Sequence, residues 1–327
     1  MFIKRLGTQV DMNFVIFTPS YNQVEFLRRC IASIADQVTD EIVIHHHVQD
    51  GGSSDGTGEF LKNYAGHMGS IISSGYTFSY DIISDDGMYD ALNKGIEYAL
   101  EHIPCQASGT NGDEQQPLNS KPQISNSIFA WLNCDEQYLP GSLKKVIDYF
   151  EQCPNADFLY GNTLHVDSDG RFLTYRKNPP LRKLYVQTDH LYIQSASTFF
   201  RASIFEEGAR FDTSLKAISD CVFIINLLEM KKVARHIHDY LSIFTMTGDN
   251  LSIEDVGLKE LKCWHDMAPA FIRLFRPIIN GFRYVEKCLA GGYSEKFPLT
   301  YSIYVNDHEK RECIWTNSGS WKFTWGR

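Results

Sequence analysis

The chain has 327 residues, 43% of them hydrophobic, enough to bury a large core and build one catalytic domain with a smaller appendage. Its 31 basic and 40 acidic residues give a net charge of −9, which excludes a general nucleic-acid binder and leaves an anionic ligand dependent on local cations. Eight cysteines without CxxC spacing exclude a zinc ribbon and suit reduced thiols in a cytoplasmic protein; no run nears the roughly 18 apolar residues that span a bilayer, and Met1 to Arg5 does not open a signal peptide.

Taken in chain order, Asn13 to Phe17 reads as a buried strand, followed by Thr18-Pro19-Ser20-Tyr21-Asn22-Gln23 and a helix with Phe26, Leu27, Cys30, Ile31 and Ile34 at helical spacing. Glu41 to Val48 reads as a second strand, ending in Gln49-Asp50-Gly51-Gly52-Ser53-Ser54-Asp55-Gly56-Thr57 before another helix. Within it His45-His46-His47 have a structural role, because neighbouring side chains of a strand point to opposite faces. Tyr80 to Ser84 reads as a third strand, running into Asp85-Asp86-Gly87-Met88-Tyr89-Asp90-Ala91-Leu92-Asn93-Lys94-Gly95. Residues 104–127, rich in Gln, Asn, Ser, Gly and Pro, cannot hold a packed core and read as a surface insertion. Ile128 to Leu132 is a fourth buried strand, and Asn133-Cys134-Asp135-Glu136 places oxygen ligands where it emerges.

Strands alternating with helices imply a mainly parallel sheet with helices on both faces, which binds ligands beyond the carboxyl ends of its strands. All four polar segments then line one rim. His236 and His238 share one face of a later strand in a structural role. Residues 262–289 are aromatic and net basic, with Pro269 and Pro277 as interruptions. They either close the catalytic domain as helices or lie peripherally on an anionic membrane surface. Tyr301, Ile303 and Val305, then Trp321, Phe323 and Trp325, alternate as antiparallel strands with a turn near Asn306-Asp307.

The segments TPSYNQ, DGGSSDGT, DDGMYDALNKG and NCDE, with Gln194 to Phe200 and then Asp220 behind them, resemble the family 2 glycosyltransferases, the inverting class with the GT-A fold. The resemblance covers about Phe14 to Ser252. It implies a Rossmann-like catalytic domain over 1–252; beyond it, 253–327 reads from its own pattern as a C-terminal helical segment followed by antiparallel strands.

The resemblance implies a donor site for a nucleotide-diphosphate sugar, UDP-linked, formed by Thr18, Pro19, Tyr21, Asp50, Asp86, Lys94, Asn133 and Cys134. Asp135 matches the last carboxylate of the family's DxD motif, the ligand for Mn²⁺ or Mg²⁺. Asn133 departs from that motif by replacing its first carboxylate, and Glu136 is placed to restore the charge. The family's nearby histidine corresponds to Thr247 here. Asp220 resembles the family's base near the acceptor, a hydroxyl of a glycan or lipid-linked molecule in surface polysaccharide synthesis. Gln194, Ser197 and Arg201 flank the sugar or acceptor pocket. Two other readings fit parts of the pattern. One is a sugar-1-phosphate nucleotidyltransferase, whose Gly-rich basic loop is missing from Thr18 to Gln23. The other is a non-catalytic nucleotide-sugar-binding scaffold, suggested by Asn133.

Overall fold

The computed structural model describes residues 12–68, 75–103, 127–247 and 255–322. The insertion expected over 104–127 lies outside them except for Ser127. Strands β1 (Met12–Ser20), β2 (Ile42–Asp50) and β3 (Tyr76–Ile82) alternate with helices α1 (Val24–Ala35), α2 (Thr57–Met68) and α3 (Met88–His102). Then come β4 (Ile128–Trp131), β5 (Glu136–Tyr138), α4 (Ser142–Gln152), β6 (Phe158–Asp167), β7 (Phe172–Arg176) and α5 (Lys183–Thr188). After these follow β8 (Thr198–Arg201), α6 (Ser203–Glu206), α7 (Ser219–Glu229) and β9 (Ala234–Met246). The C-terminal part holds α8 (Asp255–Met267), α9 (Ala270–Leu289), β10 (Leu299–Ile303) and β11 (Glu312–Thr316).

Nine strands form one sheet in the order β3-β2-β1-β4-β8-β6-β9-β5, with β7 on β6. The β3-β2-β1-β4 half is parallel throughout, whereas β8 runs antiparallel to both β4 and β6. Because β1 lies between β2 and β4, the sheet grows one way and then the other from it. The crevice beyond its carboxyl end is the topological switch point where such sheets bind ligands.

Helices cover both faces, which is why β1 reads as an unbroken apolar run. Phe14 and Ile16 pack with Cys30 and Ile34 of α1 and Val146 and Phe150 of α4. Val15 and Phe17 pack on the other face with Leu92 and Ile96 of α3, beside Phe223 and Leu227 of α7. The expected GT-A-like α/β architecture is therefore present.

Three expectations shift. The third strand begins at Tyr76, four residues before its expected start, and Ile82 and Ile83 are exposed where this edge strand ends. Pro269 separates α8 from α9, but Pro277 is accommodated inside α9. The C-terminal strands exist as β10 and β11, antiparallel, but the second falls at Glu312–Thr316, ahead of the expected alternation, where Trp321 is in no strand and Phe323 and Trp325 lie outside the described residues. This hairpin is built into the main core: Tyr301, Ile303 and Val305 pack with Leu164 of β6 and Ile243 of β9. Arg311 Nη2 donates to Asp36 Oδ1 at the end of α1 at 2.8 Å, tying the hairpin to the first helix.

Candidate active site

Strand register gathers the predicted segments at one rim. Ser20, Asp50 and Ile82 stand side by side at the ends of β1, β2 and β3, and the Leu132 N–H donates to the Phe17 carbonyl at 2.9 Å just past β4. The Cys134 thiol donates to the Pro19 carbonyl at 3.3 Å, drawing the Asn133–Glu136 segment against the end of β1.

The loops after β1 and β2 clasp each other. Asn22, at φ 51°, donates its N–H to Ser53 Oγ at 2.8 Å and accepts the Ser54 N–H on Oδ1 at 2.8 Å. Asp55 Oδ2 accepts the Val24 N–H in the first turn of α1, and its Oδ1 accepts the Thr57 N–H and hydroxyl at the start of α2. Burial pulls the Asp55 pKa upward, but these bonds outweigh it and leave it lowered. Asp50 is fully buried and accepts three bonds from its own turn: Gly52 N–H at 3.1 Å, Ser53 N–H at 2.9 Å and Ser53 Oγ at 2.6 Å. The turn needs both glycines. Gly52 has φ +89°, and a Cβ on Gly51 would stand 2.8 Å from Asp85 Oδ2.

The two adjacent acids of the next loop differ in placement. It is Asp85 that closes on Gly51, beside Asp50, while the Asp86 side chain is exposed and its carbonyl accepts the Lys216 ammonium at 2.5 Å. Burial raises the Asp85 pKa, and the charges of Asp90 and Asp50 add to the rise. Lys94 pairs with Asp90 at 2.9 Å and donates to the Ser84 carbonyl at 2.9 Å, so it braces the β3–α3 loop as well as carrying charge to the rim.

Other expectations change on burial. The Thr18 side chain is fully buried and its hydroxyl bonds to His46 Nε2 at 2.9 Å, so it faces the core and not a ligand. Cys134 is buried too, and its burial raises the thiol pKa well above the ordinary range. Ser197 is fully buried, bonded to Ser242 Oγ at 2.6 Å and Thr163 Oγ1 at 3.0 Å, within the sheet rather than in a pocket. Arg201 pairs in register with Ile128 at the start of β4, the end of that strand opposite Asp135, and donates to the Ala156 carbonyl. Gln194 is half-buried, with its carbonyl accepting the Thr198 hydroxyl. Pro19 and Tyr21 remain at the rim, Tyr21 being 65% exposed. His236 bonds Asn162 at 3.0 Å and packs its ring on His238, which fits a shared strand face.

Asp135 is half-buried, and its carbonyl accepts the Thr245 N–H at 3.0 Å, bringing Thr247 to the same neighbourhood. Glu136 does not restore the charge lost at Asn133. It is fully buried, its Oε2 accepts the Asn133 N–H at 2.7 Å, and burial, then the Asp135 charge, pushes its carboxyl well above the ordinary range. Among the described residues no three His, Cys, Asp or Glu side chains cluster to hold a metal. Asp135, with the enclosed and unpartnered Asn133 Oδ1 beside it, fits a hard cation that takes few protein oxygens and completes its shell with substrate phosphates.

Asp220 lies in the first turn of α7. Its Oδ1 accepts the Tyr89 hydroxyl at 3.0 Å and the Cys221 N–H at 2.8 Å. Tyr89 belongs to α3, directly after the Asp85–Gly87 turn, so the acid predicted on the acceptor side comes to the same rim. Burial raises the Asp220 pKa, which makes its carboxylate more basic. Sequence reasoning passed over Asn22, Ser53, Asp85, Tyr89 and Lys216. Asp55 was readable as a helix cap from its spacing to Thr57.

Residues 15–103 match the family model described as Glycosyl transferase family 2. Those residues carry the family 2 signature. The match spans β1 to the end of α3 and includes three of the four rim segments. No curated protein matches the chain in sequence. Among solved structures, TarS of S. aureus covers 92% of this chain at 13% identity with a TM-score of 0.50, and this chain spans 60% of that one. Residues 1–349 of TarS in complex with UDP-GlcNAc cover 92% of this chain at 14% identity, with 99% of that chain covered and a TM-score of 0.51. At identities this low the likeness shows the fold alone. The family match supports sugar transfer as the general activity.

Proposed function

We propose that the protein is an inverting glycosyltransferase that moves a sugar from a UDP-linked donor to a hydroxyl of a glycan or lipid-linked acceptor. The observation that carries this reading is the meeting of Asp220, through Tyr89, with the strand-end loops that hold Asp50, Asp85 and Asp135. A base and a donor cradle on one rim are what a single displacement requires. TarS, which shares the fold, was solved with UDP-GlcNAc, and that supports a uridine donor here.

Tyr21 offers an exposed ring for the base, and Asp85 and the carbonyls of its turn offer acceptors for ribose or sugar hydroxyls. Asp220 takes the proton of the acceptor hydroxyl as its oxygen bonds to the anomeric carbon and the bond from that carbon to the diphosphate breaks. The electrons of the broken bond go to the diphosphate oxygen, and the nucleoside diphosphate leaves. General-base help of this kind contributes about 10²–10⁴-fold. Asp135 and Asn133 Oδ1 would hold Mn²⁺ or Mg²⁺, which when bound supplies positive charge to the diphosphate. Asn133 in place of a carboxylate also favours a second reading, a nucleotide-sugar binder without transfer.

The test is release of free nucleotide from UDP- and GDP-linked sugars with Mn²⁺, beside calorimetry of UDP binding. Asp220→Asn is expected to lower release about 10²–10⁴-fold while UDP binding persists. Asp135→Ala is expected to lose the Mn²⁺-dependent part of binding. Full Mn²⁺-dependent affinity in that variant would remove the metal assignment, and binding without release by the parent chain would favour the scaffold reading.

A further inference from the structure

Helix α9 is amphipathic and mounted the unusual way round. Its inward side is polar and fastened by ions: Arg182 Nε and Nη2 donate to the two Glu286 carboxylate oxygens at 2.8 and 2.7 Å, and buried Arg283 pairs with Asp189. Burial alone would raise the Asp189 pKa, but His190 and Arg283 hold it well below the usual carboxylate range. Thr188 adds a bond to Asn280 Oδ1 at 3.1 Å. The apolar stripe points away from the domain. Phe271, Phe275, Ile278, Phe282, Val285 and Leu289 are 48–83% exposed.

The spacing of that stripe is informative. Steps of 4, 3, 4, 3 and 4 residues keep six side chains on a narrow seam, the a/d repeat of a helix that pairs with another helix. Gly281 lies beside the seam with nothing within 4 Å of where its Cβ would stand, leaving room for a second backbone. At roughly 100 Å² of free surface apiece, the six side chains offer on the order of 600 Å² per copy, near the ~800 Å² per partner of a standard interface. Exposed Leu274 and Tyr284 flank them.

Charge chooses the occupant. Helices that lie in an anionic bilayer surround their apolar stripe with Lys and Arg. The positions flanking this seam, Leu274, Ile279, Gly281, Glu286 and Cys288, include no cation, and the helix's four cations, Arg273, Arg276, Arg283 and Lys287, lie on its other side. Arg283 and Lys287 face inward, where burial lowers the Lys287 pKa to about 8. An uncharged seam is self-complementary, as a two-fold axis requires. We infer that α9 is the interface of a homodimer, pairing with α9 of a second copy along Phe271, Phe275, Ile278, Phe282, Val285 and Leu289.

Sedimentation velocity of the full chain at micromolar concentration tests this, with flotation on phosphatidylglycerol-containing vesicles as a second arm. The parent chain is expected to sediment at dimer mass. The Phe275→Glu/Phe282→Glu variant is expected to fall to monomer mass with its circular dichroism spectrum and nucleotide release unchanged, while Phe275→Leu/Phe282→Leu stays dimeric. A parent chain that is monomeric throughout, or a folded glutamate variant that remains dimeric, would overturn the inference. Vesicle flotation lost in the same glutamate variant, with no dimer in solution, would assign the seam to a bilayer instead and overturn it equally.

Discussion

The rim of the parallel strands and the outer face of α9 break the same rule in opposite directions. At the rim the molecule encloses carboxyl groups, Asp50 and Glu136 being fully buried; on α9 it exposes a line of aromatic and aliphatic side chains. Buried polar groups and exposed apolar patches are the informative departures from ordinary partitioning. At the rim Asp50 is satisfied by three bonds from its own turn, while Asn133 Oδ1 is enclosed without a partner. The α9 face is unfinished, because nothing among the described residues covers it. One departure organises chemistry within the chain, and the other points outside it.

The largest effect that sharpens this contrast comes from a matched pair of phenylalanines. Phe200→Ala, at a fully buried ring stacked on Trp131 at 5.3 Å, is expected to reduce stability by about 3–5 kcal/mol in urea unfolding. A loss under 1 kcal/mol there would show that the sheet core is loosely packed. Next comes acid behaviour behind the rim. His46 is enclosed between Thr18 and the Tyr76 hydroxyl, and burial, then the neighbouring His47, lowers its pKa to about 3. Its ordinary value is near 6.5, so below about pH 6.5 the unfolded chain takes a proton that the folded chain refuses. Stability is therefore full above that point and declines as pH falls toward 3, by about 2 kcal/mol between pH 6.5 and 5. Unfolding curves of the parent and of His46→Gln at both pH values measure it, and an equal decline in the two would discharge His46. Phe282→Ser is expected to be the smallest, within about 0.5 kcal/mol for the monomer. A loss of several kcal/mol in dilute, monomeric protein would mean that the α9 stripe is packed after all.

Much of this was legible in the sequence for a definite reason. Parallel strands covered on both faces are continuous apolar runs, so β1 and β4 stand out, and their ends locate the rim without reference to the rest of the chain. Positions decided by direction rather than composition were harder. Asp85 and Asp86 are chemically equal in sequence, and only the approach to Gly51 separates them. Ser197 and Arg201 share a segment with pocket-like residues, yet one lies inside a hydroxyl network and the other at the opposite end of the sheet. Composition marked 262–289 as aromatic and basic but drew neither the stripe on α9 nor which side faces in, since that depends on Arg182 and Asp189, some 100 residues earlier.

Glu260 of α8 has a quieter consequence. Its carboxylate oxygens accept the N–H groups of Lys216 and Ala217, at 2.7 and 2.9 Å, four and three residues before Asp220. The loop leading into the acceptor-side acid is thus suspended from a helix that sits well outside the family-matched segment. A chain cut after residue 247 would lose that suspension together with the hairpin packed on β6 and β9, leaving Tyr89 and the Cys221 N–H as the partners of Asp220.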